Sequence, residues 1–376
     1  MMISNLSNQN TQPASVGISA VSTFKPPWIL PNQWFEGMAR KFVRHTGILQ
    51  RPVSVEDEVS LAIHATENLI RKTGCNMEKC AGLVFTSPSF VPMSVARQYM
   101  ERERAEKEQL DVAARNFAER MKIQPRQIVA SNTYCAGYAT ALSSVIDELV
   151  PTIDLQADEF ILVLTSSQIS RITDYACRQS SALFGDLSTA TLISRMDSAN
   201  YPVHFELLGA CVEEQATNRP FFDFSLRQDV LAPTVDGGQQ FDSQRVVFSL
   251  DGMGIADTAP RAMASAASEM LEAIELQADD INFIVPHQAG SGIVKFAEMK
   301  LRDEGFSADV INGMASEVGN VSSGSVPYTL EKLWQRLSGN ILCPIASVGP
   351  PGKSAVSQGC IALRSTPIHF SQKRAA

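Results

Sequence analysis

Two rhythms of apolar and polar positions alternate along the chain. Short, almost fully apolar runs at 82–86, 128–130 and 160–164 have the character of buried strands. Between the last two, residues 136–150 are apolar at Tyr138, Leu142, Val145 and Leu149, which is helical spacing, and Pro151 is expected to end that helix. The second half repeats the alternation. Pro260 is expected to open a helix with apolar positions at Met263, Ala267, Met270, Leu271 and Ile274. Residues 281–285 read as a strand, 292–304 as a helix, and 325–337 as a helix begun by Ser325 and Pro327. Residues 343–348 and 357–363 read as closing strands.

This order predicts an α/β fold of two similar halves, 16–200 and 201–376, behind a polar tail at 1–15 expected to be disordered. Similarity between the halves is too weak at residue level to establish a repeat. The stretch 236–240 reads as a loop. Residues 97–120 are rich in Arg, Glu and Lys, and fit either a solvated surface helix or an insert that covers an entrance or extends an interface.

Composition narrows the function classes. The 376 residues are 44% hydrophobic and 19% charged, with a net charge of −8 and a pI near 5.3. That balance is globular, and it gives no electrostatic reason to expect nucleic acid or an anionic membrane as partner. No apolar run approaches the length of a membrane span, and the N-terminus lacks the pattern of a secretory signal. The seven cysteines are odd in number and scattered, as free thiols in a reducing cytoplasm would be; Cys75 and Cys80, the closest pair, lack zinc-site spacing.

Three positions carry candidate chemistry. Cys135 follows a predicted strand and precedes Ala136, Gly137 and an apolar helix, where small residues admit close approach and the helix start favours a thiolate. His287, in Pro286-His287-Gln288-Ala289-Gly290, stands at the carboxyl end of a predicted strand, where α/β proteins bind ligands. Asn320 lies in a Gly- and Ser-rich loop running into the helix at Ser325. Residue types alone also admit a Cys/His/Asn hydrolase, although the local sequence expected around such a cysteine is missing.

Taken together with Thr46-Gly47-Ile48, Thr133-Tyr134-Cys135-Ala136-Gly137-Tyr138, Phe184-Gly185-Asp186, Val285-Pro286-His287-Gln288-Ala289 and Gly319-Asn320-Val321-Ser322, the sequence from about Val16 to Arg364 resembles the ketoacyl synthase III branch of the thiolase superfamily. The resemblance implies a duplicated five-layer αβαβα fold and a homodimer. It implies acyl-coenzyme A or acyl-carrier-protein thioesters as substrates, with no metal or prosthetic group. It casts Cys135 as acyl-carrying nucleophile and His287 and Asn320 as donors to the extender carbonyl. The backbone N–H groups of Cys135 and Gly352 become the oxyanion donors, and Arg178 and Gly290 fall in the substrate-binding region.

The sequence also departs from the family. The loop Gly349-Pro350-Pro351-Gly352 has prolines where the family has glycines, and proline has no N–H to donate. Lys41 and His45 stand where the family often has a coenzyme A-binding tryptophan and arginine, and Gly290 and Gly292 replace its asparagine and docking arginine. These departures point away from ordinary coenzyme A priming. Decarboxylative condensation, acyl transfer to an alcohol or amine, and a silent partner subunit remain the three accounts. The stretch 220–224, with three phenylalanines, either lines an acyl tunnel or packs a loop against the body.

Overall fold

The computed structural model describes residues 4–5, 15–35, 40–89, 99–177 and 180–367. A short strand β1 (Ser4–Asn5) lies antiparallel to Gly209 and Ala210, so the segment expected to be a free tail is pinned at that point. The small pair β3 (Ile29–Pro31) and β4 (Gln50–Pro52) stands apart. The first half otherwise consists of β2 (Val16–Phe24), β5 (Cys80–Thr86), β6 (Gln127–Ser131), β7 (Phe160–Ser167) and β8 (Leu187–Arg195), in the spatial order β6-β5-β7-β8-β2. A long hairpin, β10 (Phe222–Pro233) and β11 (Gln239–Leu250), projects from the second half. That half's body is β9 (Phe205–Ala216), β12 (Ile281–Ile284), β13 (Asp309–Val310), β14 (Asn340–Val348) and β15 (Ala355–Ser365), in the order β13-β12-β14-β15-β9.

Numbered within its own half, each sheet reads 3-2-4-5-1. In both, the second strand runs parallel to the third and fourth, and the fifth is antiparallel to the fourth and first. The duplication that residue identities leave invisible is therefore explicit in the topology. Among the described residues the two sheets pair edge to edge where Gly17 and Ile18 meet Glu206 and Phe205.

Helices fill three further layers. Between the sheets lie α4 (Gly137–Ser144) and α8 (Ser325–Lys332), where Tyr138 and Leu142 from one and Val326 and Leu330 from the other share a core with both sheets. Outside the first sheet are α2 (Glu58–Thr73) and α3 (Tyr99–Arg120). Outside the second are α6 (Gly252–Ile274) and α7 (Ser291–Asp303). A minor helix, α1 (Arg40–Thr46), packs on the start of α7. This is the thiolase-type five-layer architecture.

Two proline expectations need correction, and the charged segment 97–120 gains a role: its described part is a surface helix, α3, the crossover joining the parallel strands β5 and β6. Leu110, Ala114 and Phe117 are buried against the sheet while the charges face outward. Pro151 does not stop its helix, because a π turn at Val145–Leu149 shifts the hydrogen-bond register and lets Pro151 enter the first turn of α5 (Val150–Ile153). Pro260 does not open α6. Asp251 does, its carboxylate accepting the Gly254 N–H, and Pro260 lies inside the helix.

The halves are also clamped directly. Asn320 N–H donates to Leu183 O (2.8 Å) and Gly185 N–H donates to Asn320 O (3.1 Å), a two-bond bridge between the halves. Gly185 is required by space: a Cβ there would lie 2.2 Å from Val318 O. Beside it, Asp186 is fully buried and accepts from the backbone of Ser54 and Ser170 and from the Ser170 hydroxyl, with burial raising its carboxyl to about 7. Gly185→Ala is expected to cost about 2 kcal/mol or more, read as a lower denaturation midpoint. Gly252→Ala, with nothing within 4 Å of the new methyl, should leave the midpoint essentially unchanged.

Candidate active site

In each half a tight turn between the third strand and an inner helix starts that helix, directly after β6 in the first half and after residues 311–319 in the second, and the two turns are built alike. In the first, Asn132 Oδ1 accepts Tyr134 N–H (3.0 Å), Tyr134 takes φ +49°, and Ala136 N–H closes on Thr133 O. In the second, Asn320 Oδ1 accepts Ser322 N–H (2.9 Å), Ser322 takes φ +51°, and Gly324 N–H closes on Val321 O. Serines on the fourth strands brace both turns: Ser347 Oγ donates to Thr133 O (3.1 Å) and Ser167 Oγ to Val321 O (3.3 Å). Positive φ at a non-glycine residue is unfavourable, and here one such residue lies on either side of a single sulfur atom.

That sulfur belongs to Cys135, at the start of α4. Cys135, His287 and Asn320 all border one narrow, largely apolar cavity of about 60 Å³. The outer walls come from Ile255, Ala259 and Met263 of α6 and Ile293 of α7. Cys135 also borders a second apolar cavity of about 40 Å³, walled by Tyr134, Ile169, Phe222 and Phe248. The thiol therefore sits where two chambers meet. Phe222 and Phe224 belong to β10 of the hairpin, so the aromatic stretch both packs the hairpin onto the body and, through Phe222, lines a chamber.

Electrostatics set the three groups apart. Burial pushes the Cys135 thiol above its ordinary value, while hydroxyls of Ser322 and Ser347 and its own backbone N–H pull the other way. His287 is almost fully buried, and burial pushes its imidazole down to about 4, so the ring is neutral at physiological pH. Neither ring nitrogen has a hydrogen-bond partner among the described residues, although the backbone N–H of His287 is anchored on Pro344 O. Leaving buried polar atoms unpaired costs stability, about 1–3 kcal/mol each, and nothing in the fold uses these two. With the Asn320 oxygen occupied by Ser322 N–H, its amino group is what the carboxamide offers to the cavity.

The other anticipated residues fare differently. Gly352 N–H is spent on Phe222 O (2.8 Å), and Gly352 borders neither cavity, so the loop with its two prolines does not offer that donor. Cys135 N–H is likewise engaged, donating to Ser347 Oγ (3.0 Å). Gly290 is off the cavity wall, which its neighbours Ala289 and Ile293 form. Together with Gly292 it instead lets α1 close on α7, since a Cβ at Gly292 would lie 2.5 Å from His45 O. Arg178 lies outside the described residues. Ser322 and Ser347 were not anticipated, because one is an ordinary loop serine and the other ends a strand. Their only sequence signal is position, two residues after Asn320 and at the strand end opposite Cys135.

With this geometry in place, comparison with known proteins is informative. Residues 129–210 match the family described as 3-Oxoacyl-[acyl-carrier-protein (ACP)] synthase III, and residues 271–349 match that family's C-terminal part. Beta-ketoacyl-[acyl-carrier-protein] synthase III 2 of Bacillus cereus is 26% identical over 321 residues, covering 83% of this chain and 87% of that protein. The corresponding synthase III of Clostridium acetobutylicum is 25% identical, over 77% and 79% respectively. Among solved structures, 3-oxoacyl-(acyl carrier protein) synthase III from Pseudomonas aeruginosa superposes with a TM-score of 0.66 at 20% identity, covering 94% of this chain and all of that one. A tetronic acid condensing enzyme superposes with a TM-score of 0.67 at 19% identity, covering 93% and 100%. No helix among the described residues is long and apolar enough to cross a membrane.

The state of His287 is directly measurable. Its ring should stay neutral as pH falls through 6.5 and gain a proton only near 4, as read from imidazole chemical shifts in NMR. Titration near the ordinary histidine value would mean that the ring is solvated.

Proposed function

We propose that the chain is a ketoacyl synthase III-like enzyme that builds a carbon–carbon bond by decarboxylative condensation on an acyl-Cys135 thioester. The observation that carries this reading is the convergence of a helix-start thiol, an unpartnered neutral imidazole and a carboxamide donor on one apolar cavity.

In the first step the Cys135 sulfur attacks the carbonyl of a carrier-bound acyl thioester. The carrier's C–S bond breaks, its thiol leaves with the proton, and the acyl group stays on Cys135 with its chain in the chamber bordered by Phe222 and Phe248. A malonyl-type extender thioester then enters the other chamber. Its carboxylate leaves as carbon dioxide, and the bonding electron pair passes into an enolate. His287 and the Asn320 amino group donate to the enolate oxygen. Both are neutral donors held in place beforehand, and a donor removed from such a site typically costs about 10²–10³ in rate. The enolate carbon attacks the acyl carbonyl, and collapse of the tetrahedral adduct expels Cys135 as thiolate and leaves a 3-oxoacyl thioester on the carrier.

The apolar chamber walls support this order of events. Water excluded from them cannot hydrolyse the acyl-enzyme or quench the carbanion, and donors act more strongly in a dry site. Carrier-protein or coenzyme A thioesters are the substrate class, and the cytoplasm the expected setting. A homodimer is supported by the place of β6, half-buried and the terminal strand of its sheet among the described residues.

Intact-protein mass measurement should show an acyl adduct after incubation with acyl-carrier or acyl-coenzyme A donors, and none with Cys135→Ser. His287→Ala and Asn320→Ala should still load, yet release carbon dioxide from a malonyl thioester at least about a hundredfold more slowly. Loading and turnover without carbon dioxide release would instead indicate acyl transfer to an alcohol or amine. A silent subunit would show no adduct. Phe222→Ala should enlarge the second chamber and shift the preferred donor in the mass assay toward longer acyl chains; an unchanged preference would place the chain elsewhere.

A further inference from the structure

Acyl-Cys135 chemistry needs a thiolate, yet the surroundings of this thiol oppose one. The sulfur lies between two apolar chambers, and burial disfavours its charged form. His287 does not relieve this, since neither ring nitrogen is hydrogen-bonded to the sulfur or to any described group. Ser347 relieves it less than Ser322 does: a hydroxyl has one proton, and that of Ser347 goes to Thr133 O while its oxygen takes the Cys135 N–H. Among the described residues, one side-chain donor keeps its proton for the sulfur. Ser322 Oγ donates to Cys135 Sγ at 3.5 Å, an ordinary length for a bond to sulfur.

Ser322 is notable in itself. It is buried, and it holds φ +51°, a conformation that suits glycine. The corresponding turn in the first half places Tyr134 there, and its bulk goes into the wall of the second chamber. What a serine adds over glycine at this backbone is a hydroxyl, and that hydroxyl lies against the nucleophile. Its N–H simultaneously fixes the Asn320 oxygen. One residue of the second half thus reaches the sulfur of the first half and the carboxamide of its own.

We propose that Ser322 is the group that stabilises the Cys135 thiolate, so that the second half activates the nucleophile of the first while orienting Asn320. The proposal rests on the reading of Cys135 as nucleophile and deepens it by separating two tasks. The hydroxyl of Ser322 serves the sulfur, and the imidazole of His287 is left neutral for the extender.

The test uses thiol alkylation, which needs no acyl donor. The full-length protein is treated with iodoacetamide across pH 6–10, and modification of Cys135 is followed by peptide mass so that Cys177, also partly exposed, does not interfere. Ser322→Gly removes the hydroxyl at a backbone conformation glycine accepts, so the fold is kept. Its profile should move to higher pH by about one to two units, with alkylation of Cys135 near pH 7 slowed about ten- to a hundredfold, the size of one hydrogen bond to a charged group. Ser323→Ala, which removes a neighbouring hydroxyl with no partner among the described residues, should leave the profile where it is. The proposal is overturned if Ser322→Gly titrates like the parent, if Ser323→Ala moves the profile equally, or if His287→Ala moves it and Ser322→Gly does not. The reading of Cys135 as acyl carrier fails on a different result, the absence of an acyl adduct, which leaves the alkylation profile intact.

Discussion

Everything at the site depends on two turns of the same construction being held face to face by the backbone. Each turn carries an asparagine whose oxygen is spent on its own chain, a residue at positive φ, and a short helical turn opening an inner helix. The exchange of hydrogen bonds between Asn320 and the pair Leu183 and Gly185 locks the second turn onto the first half, and close packing at Gly185 leaves it no play. Since Cys135 stands on one turn and Asn320 on the other, neither half alone contains a site. The strain at Tyr134 and Ser322 persists because two buried helices and two sheets surround it.

The same arrangement separates charge states. The proposed condensation needs a thiol that ionises and an imidazole that does not; both border one cavity, and burial pushes each toward its neutral form. For His287 that is the useful form: a neutral ring donates to an enolate oxygen without first surrendering a strong ion pair with the thiolate. For Cys135 it is an obstacle, offset by the start of α4 and by hydroxyl contact rather than by a cation. The proposed reaction, whose negative charge moves from carboxylate to enolate to thiolate, would thus be served by neutral donors throughout.

Much of this was legible in the sequence, for identifiable reasons. The buried strands β5, β6 and β7 are continuous apolar runs, and the chemistry of Cys135, His287 and Asn320 is carried by short motifs at strand ends and loops. Other features could not be read. The duplication lies in strand order and direction, which leave no residue-level trace. The long hairpin was missed because β10 and β11 alternate polar with apolar residues on a solvated ribbon, and only its turn at 236–240 stood out. Residues 99–120 look solvated because charges dominate the composition, whereas the few apolar positions recur on one face. Pro151 and Pro260 misled because proline signals assume regular helices, and a π turn and an upstream Asp251 cap changed the local rules. The donor role of Gly352 is implied by the family resemblance alone, and its N–H is committed to the hairpin at Phe222.

The central claim is spatial: one cavity brings an extender carbonyl to His287 and Asn320 while its carbon faces Cys135. A crystal structure of Cys135→Ser with a bound malonyl-type thioester tests it most directly. The account predicts the thioester oxygen within hydrogen-bonding distance of both the His287 ring and the Asn320 amino group, with the malonyl carbon turned toward residue 135. A thioester bound with its carbonyl away from those two groups, or in a cavity that Cys135 does not border, would contradict it.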